Sequence, residues 1–286
     1  MSDHQSILDR REVAGKHLYL HKGLCQANFQ DPQQPRDYAW YNRFVIKPLI
    51  ESGHISDGTR GPFDDRKLRY HLLSTDDLHN EVTLYLGITH FRAYQADLAR
   101  DELQVQVLKQ AGENQFSNEY AFFSRPLAVT VLPITREGTA FIGERGNKER
   151  GGLWNAVAGY VRFRHPGEVD LKEDLLRELQ EEFGIDPGDL VGEPQLVGLS
   201  CSLSTGEAEP SYIVQTKVPE EYFTSGRWKE RVSEREHKRL ERIATLEDRD
   251  ELLMESLPST GERVELMHAT EHVLRSLKEA DLSRLE

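Results

Sequence analysis

Cysteine is scarce: the 286 residues hold two, Cys25 and Cys201, far apart and without a CxxC pair or His/Cys metal spacing. A disulfide framework and a four-thiolate zinc site are excluded, and free thiols in a reducing compartment are expected, with a bridge between the two left open. Positive charge is also short. Lys and Arg number 36 against 49 Asp and Glu, a formal charge of -13, and that balance lacks the concentrated basic face on which nucleic-acid affinity depends. No apolar run approaches the length that crosses a bilayer, and the opening MSDHQSILDRREVAGK carries charges where a signal peptide would be hydrophobic. A cytoplasmic protein is expected, with neither nucleic acid nor membrane as partner; the oligomeric state is left open. An acidic protein still takes anionic substrates where a metal and a few local arginines supply the positive field.

What is present is a soluble globular composition, 37% hydrophobic and 30% charged, on a chain long enough for one large domain or two small ones. Residues 1–65 are rich in Gln, Asp, Pro and Gly around an aromatic stretch at 38–46. That stretch reads as either helix or strand, and its rings as packing rather than a base-stacking platform. Strands are expected at 67–73 and 82–88, then a helix opening at the candidate N-cap Thr89 and another at 101–110. From 127 the pattern changes to strands at 127–132 and 139–145, and after a polar loop to Gly152 the segment 153–158 leads into the stretch before the central helix. Beyond a central helix, strands 195–202 and 212–218 flank a polar connection at 204–209. A last strand is expected at 237–245, and helices at 247–256 and 262–278. Strands on both sides of a central helix, closed by a C-terminal helix, imply an α/β sandwich.

The central helix carries the chemistry. Asp170 and Glu173 read as a capping box, Gly184 as the residue that ends the helix, and Pro187-Gly188 as a block to continuation, which brackets it at 171–183. At about 100° per residue, Glu178, Glu181 and Glu182 share an arc of roughly 100°, with Leu175, Leu176, Leu179 and Phe183 on the adjoining arc. Like charges at these spacings weaken a helix by about a few tenths of a kcal/mol each, so a cation is expected among them. All-oxygen ligands suit Mg2+ or Mn2+, which keep several waters and bridge to phosphates. A solvated acidic helix face is the alternative.

The run Arg177-Glu178-Leu179-Gln180-Glu181-Glu182-Phe183-Gly184-Ile185 resembles the second half of the Nudix hydrolase signature at every position. The first half departs from it: eight residues separate Gly159 from Glu168 and eight separate Glu168 from Arg177, longer than the signature on both sides. The extra length falls in a loop, where insertions are tolerated. The resemblance implies a Nudix-type α/β/α sandwich with a mixed sheet over residues 121–286, preceded by an α+β extension over 1–120 whose strands are free to join that sheet. It implies a hydrolase using Mg2+ or Mn2+, with Glu178, Glu181 and Glu182 as metal-binding glutamates and Gly159 as the glycine whose backbone approaches the metal. Glu168 would then support Arg177 in orienting the helix. Metals bridging a diphosphate neutralise charge and help generate hydroxide, with a glutamate as proton acceptor. In the enlarged loop, Arg162, Arg164 and His165 are either phosphate clamps or solvated residues. Arg145 is a further candidate substrate contact, and Glu207 and Glu209 are either an added base or ligand, or surface charge.

Absences narrow the branch. Two cysteines cannot build the zinc site of the NADH-hydrolysing branch, and no proline-rich motif follows the signature; nor does the acidic C-terminus resemble the DNA-binding module of related regulators. Lys67-Leu68-Arg69-Tyr70-His71, then Leu86-Gly87-Ile88-Thr89-His90-Phe91-Arg92-Ala93-Tyr94, then 120–127, are similar to the mammalian UDP-glucose/UDP-galactose diphosphatase branch. That similarity implies a nucleotide-sugar substrate cleaved to UMP and hexose 1-phosphate, with ADP-ribose or a dinucleotide as the alternative. A non-catalytic nucleotide-binding regulator is the reading from another class; three retained, mutually repelling carboxylates speak against it. From charge alone, Glu182→Gln is expected to abolish most turnover while slightly stabilising the apo helix.

Overall fold

One strand, Ala128–Ile134, organises the main sheet because both its faces are apolar. Val129 and Val131 join one core, while Leu132 and Ile134 join a second, the period-two alternation of a strand covered on both sides. The computed structural model describes residues 4–24, 42–53, 66–146, 151–163, 170–233 and 236–284. Its strands are β1 (His4–Leu8), β2 (His17–Leu24), β3 (Arg66–Asp76), β4 (Glu81–His90), β5 (Ala128–Ile134), β6 (Ala140–Arg145), β7 (Trp154–Asn155), β8 (Val157–Tyr160), β9 (Leu190–Ser202), β10 (Ala208–Thr216) and β11 (His237–Ile243). The helices are α1 (Arg10–Val13), α2 (Lys47–Glu51), α3 (Phe91–Leu98), α4 (Glu102–Phe116), α5 (Leu171–Phe183), α6 (Glu220–Thr224), α7 (Trp228–Arg231), α8 (Leu246–Leu253) and α9 (His268–Ser276).

The main sheet runs β1-β9-β10-β5-β6-β11, with β8 paired to β5 and β7 to β6. It is mixed: β10 and β5 are parallel and the other pairs antiparallel. The β5–β6 hairpin pairs at Ile134 and Ala140; farther along, β8 takes the place of β6 beside β5, which sets Gly159 opposite Val129. Leu175, Leu179 and Phe183 of α5 fill the core on one face, and Val273 and Leu274 of α9 fill the core on the other. The α/β sandwich with a mixed sheet is therefore present. Among the described residues no helix is long and apolar enough to cross a membrane.

A second sheet, β2-β4-β3, comes from the first third of the chain. It shares a core with the main sheet: Leu68, Tyr70, Val82, Leu84 and Leu86 pack in the same cluster as Leu127, Val129 and Leu175. Backbone bonds tie the two, from Leu127 N–H to the Leu68 carbonyl at 2.8 Å and from Tyr70 N–H to the Arg125 carbonyl at 2.9 Å. Residues 4–8 supply the strand beside β9. Tyr120, at the expected end of the extension, packs with Phe123 and Cys201 in a smaller cluster.

Three local expectations need correction. The last helix is short, His268–Ser276 rather than 262–278, because Leu266 pairs with Trp154 and the Trp154 carbonyl accepts the Met267 N–H, so that backbone is spent on sheet-like bonds. β4 runs through Thr89 to His90, which takes the N-cap place of α3 instead. Ala208 and Glu209 belong to β10 and are buried, not part of a polar connection. Of the aromatic stretch, Asn42–Ile46 forms a π-helical turn that runs into α2, and residues 38–41 lie outside the described residues.

Candidate active site

Helix α5 has the bounds its sequence signals set. The Asp170 carboxylate accepts the Lys172 N–H at 2.9 Å, and Gly184 closes the helix at φ +66°, a left-handed conformation that costs glycine nothing. Leu171, Leu175, Leu179 and Phe183 are buried, each contributing about 1.5–3 kcal/mol. That apolar stripe fixes the helix rotation, and Glu178 and Glu181 then line a cavity of about 300 Å3.

Arg177 holds these two carboxylates together. Its guanidinium lies 2.5 Å from Glu178 Oε1, 2.5 Å from Glu181 Oε2 and 3.2 Å from Asp174 Oδ1. Asp174, buried on the preceding turn, also accepts the Arg162 N–H at 3.4 Å. Asp174 thus supports Arg177 from within the helix; Glu168, Arg164 and His165 lie outside the described residues. The sequence offered a signal for Asp174 that went unread: a carboxylate three positions before Arg177 on one helix face.

Burial pushes the Glu178 carboxyl up to about 8; Arg177 opposes this, and the neighbouring Glu182 and Glu181 add to it. For Arg177, burial works against the charge, but Glu178 and Glu181 outweigh it and raise its value. Gly159 faces the same carboxylate so closely that an added Cβ would collide with it. A side chain at this position would displace the Glu178 carboxylate from its place beside Arg177.

Glu182 points elsewhere. It is buried away from the cavity and its Oε2 lies 2.8 Å from His237 Nε2 on β11. Burial, with Arg145 adding, lowers His237 to about 4, so the ring is neutral and donates to the carboxylate. The shared arc of the three glutamates is real, yet one edge of it meets the core. Among the described residues no three acidic or imidazole side chains converge as a ready-made metal cluster.

The opposite wall comes from β10. Glu207 and Glu209 are each 2% exposed, so they are not surface charge. Glu207 accepts from the Tyr94 hydroxyl; Glu209 accepts from the Thr130 hydroxyl and lies 3.4 Å from His268 Nε2. The parallel register that pairs Ser211 with Thr130 brings this end of β10 beside β5 and into the cavity wall.

Arg145 lines the cavity and pairs with Glu236 at 2.8 Å; Arg162 lines it half-exposed, 3.5 Å from Glu181. Lys67, 5% exposed, is a further cation in the lining that sequence reasoning missed. Its signal was a lysine inside a strand segment buried on both faces. Phe91, Tyr94 and Tyr160 form an aromatic trio on the same cavity, with ring centroids 5.4–6.2 Å apart. The arrangement can bind a cation on oxygen ligands, bind anionic oxygens on Lys67, Arg162 and Arg177, and stack a planar group.

No family model and no curated protein matches this sequence. Among solved structures, the chain is similar to the NUDIX domain of Shewanella oneidensis NrtR complexed with ADP ribose, at 13% identity and TM-score 0.36, over 58% of this chain and 95% of that one. It is similar to a MutT NUDIX hydrolase from Burkholderia pseudomallei at 19% identity and TM-score 0.35, over 54% and 98%. A C. elegans Ap4A hydrolase binary complex is similar at 14% identity and TM-score 0.29, over 42% and 81%. These likenesses are partial, and the site stands on its own geometry.

Proposed function

We propose that this chain is a divalent-metal-dependent hydrolase of a nucleoside diphosphate linked to a second moiety, with a UDP-hexose cleaved to UMP and hexose 1-phosphate as the substrate. The carrying observation is one cavity walled by Glu178 and Glu181 on the signature helix, by Glu209 on β10 and Glu207 just before it, and by Lys67, Arg162 and Arg177.

The residues fit Mg2+ or Mn2+. The donors are all oxygen, as hard cations require, and burial penalises the charged form of Glu178, a penalty a bound cation would offset. Glu178, Glu181 and the Gly159 backbone would hold the ion, while Glu182 is engaged by His237. When bound, the ion supplies charge neutralisation for the diphosphate and a water of lowered pKa. The protein's own share is positional. Arg177 orients two glutamates, Lys67 and Arg162 bind phosphate oxygens, and a glutamate of the cavity accepts the proton of the attacking water.

Support for the nucleotide-sugar comes from where its sequence similarity lands. Lys67, Phe91 and Tyr94, all in the similar stretches, line this cavity. The test is a panel of UDP-glucose, UDP-galactose, ADP-ribose, NADH and dinucleoside polyphosphates with magnesium, scored by kcat/KM with product identification. UDP-hexoses should lead. ADP-ribose turned over equally well defeats the sugar assignment alone, and no turnover of any diphosphate defeats the hydrolase.

A further inference from the structure

The cavity of the signature glutamates abuts a second one of about 950 Å3, and Leu98, Glu207 and Met267 line both. Both volumes lie in or near the range of about 300–1,000 Å3 usual for small-molecule sites. Their chemistries differ. The first has the aromatic trio; among the described residues no phenylalanine, tyrosine or tryptophan lines the second. Its polar lining is instead hydroxyl and carboxylate. Ser202 and Ser204 hydroxyls stand 3.0 Å apart, and Glu271 lies across from them on α9 with His268. The two arginines there are already taken, Arg263 by Glu255 at 3.0 Å and Arg275 by Glu271 at 2.6 Å. With Glu207, Glu255, Glu265 and Glu271 against those two arginines, the lining disfavours a second anionic group and offers a base no phenylalanine, tyrosine or tryptophan ring. It offers acceptors at several angles, which suits a neutral polyol.

We propose that this second cavity is the subsite for the hexose, that the nucleobase lies on the Phe91/Tyr94/Tyr160 side, and that Ser204 and Glu271 determine specificity for the sugar. The proposal rests on the diphosphatase reading and adds which moiety goes where. It makes the enzyme selective for a sugar over a second nucleoside.

The test uses the full-length protein with magnesium and two substrates that share base and diphosphate and differ only in the far moiety, UDP-glucose and diuridine diphosphate. The wild type should favour UDP-glucose at least about tenfold in kcat/KM. Ser204→Phe fills the cavity, and Glu271→Gln removes a charge at constant size. Each should raise the KM for UDP-glucose and the inhibition constant of glucose 1-phosphate by about tenfold, the scale of one charge-assisted hydrogen bond, while the inhibition constant of UMP moves less than about twofold. Ser204→Ala serves in place of Ser204→Phe if the larger residue unfolds the turn, read by thermal unfolding. Product constants that shift together, or not at all, overturn the subsite, as does equal use of diuridine diphosphate. No turnover of either compound by the wild type overturns the UDP-hexose reading and this one with it; turnover with unshifted product constants overturns this one alone.

Discussion

Two pairs of glutamates face each other across the cavity, and they reached it by different routes. Glu178 and Glu181 sit on one helix whose rotation is fixed by four buried apolar residues, so their direction follows from spacing within 13 residues. Glu209 sits on β10 and Glu207 just before it, in a stretch that looks polar in sequence, and they are buried because β10 lies parallel to β5, a strand far earlier in the chain. The helical pair is held by an arginine, the strand pair by hydroxyls from Tyr94 and Thr130. Glu178, Glu207 and Glu209 are all buried, and burial penalises the charged carboxylate on both walls. A cation between the walls would offset that penalty.

The comparison can be broken most sharply at Glu178. Glu178→Gln should lower kcat by about a hundredfold or more with little loss of thermal stability; wild-type turnover in this variant would remove the helical pair from the chemistry. Next, Glu207→Gln and Glu209→Gln should each lower kcat/KM by about tenfold to a hundredfold if the strand pair works with the helical one. Glu241 is the control, equally buried but bonded to Ser259 N–H and hydroxyl at 2.8 Å and outside the cavity lining, so Glu241→Gln should change stability and not kcat/KM. If all three variants behave alike, the strand pair is structural.

Glu182 tests the edge of the helical arc. Charge repulsion alone predicts that Glu182→Gln stabilises the helix, but the bond from His237 reverses the sign. The variant weakens a buried charge-assisted bond and leaves amide N–H groups facing the core, so a loss of about 1–3 kcal/mol is expected in denaturant unfolding. A gain would show that His237 does not hold this carboxylate in solution.

A smaller effect is the pH dependence of the metal-free protein. Glu178, with a folded value near 8 against an ordinary 4.5, binds a proton more tightly when folded. Its stabilisation is full below about 4.5 and lost as pH rises through 8. His237, lowered from 6.5 to about 4, works in the opposite sense, with stability lost as pH falls from 6.5 toward 4 and none of this dependence above it. Between about pH 6.5 and 8 the Glu178 slope stands without that opposition, so the thermal midpoint should fall there, and Glu178→Gln or added magnesium should flatten the fall. The smallest effect is at Arg162, half-exposed and at the limit of its contact with Glu181. Arg162→Ala should raise KM a few-fold and leave kcat nearly unchanged, as loss of uniform phosphate binding does.

The residues legible in sequence share one property: their signals are local. The limits of α5, its cap, its terminal glycine, its apolar stripe and the placement of Glu178 and Glu181 follow from i+3 and i+4 spacing, and most strands were visible from alternation and turn residues. Asp174 was equally local and was passed over. The misreadings were long-range. Leu266 and Met267 left a helical pattern because Trp154, more than a hundred positions earlier, offered them backbone partners.

By itself, the sequence determined the signature helix and the character of its site, oxygen ligands beside an arginine, because a helix sets its own side-chain directions through its hydrogen bonds. Tertiary structure alone decided that Glu207, Glu209 and Lys67 would join that site and that Glu182 would turn to His237. A strand's environment is settled by its neighbours, and those neighbours are distant in the chain.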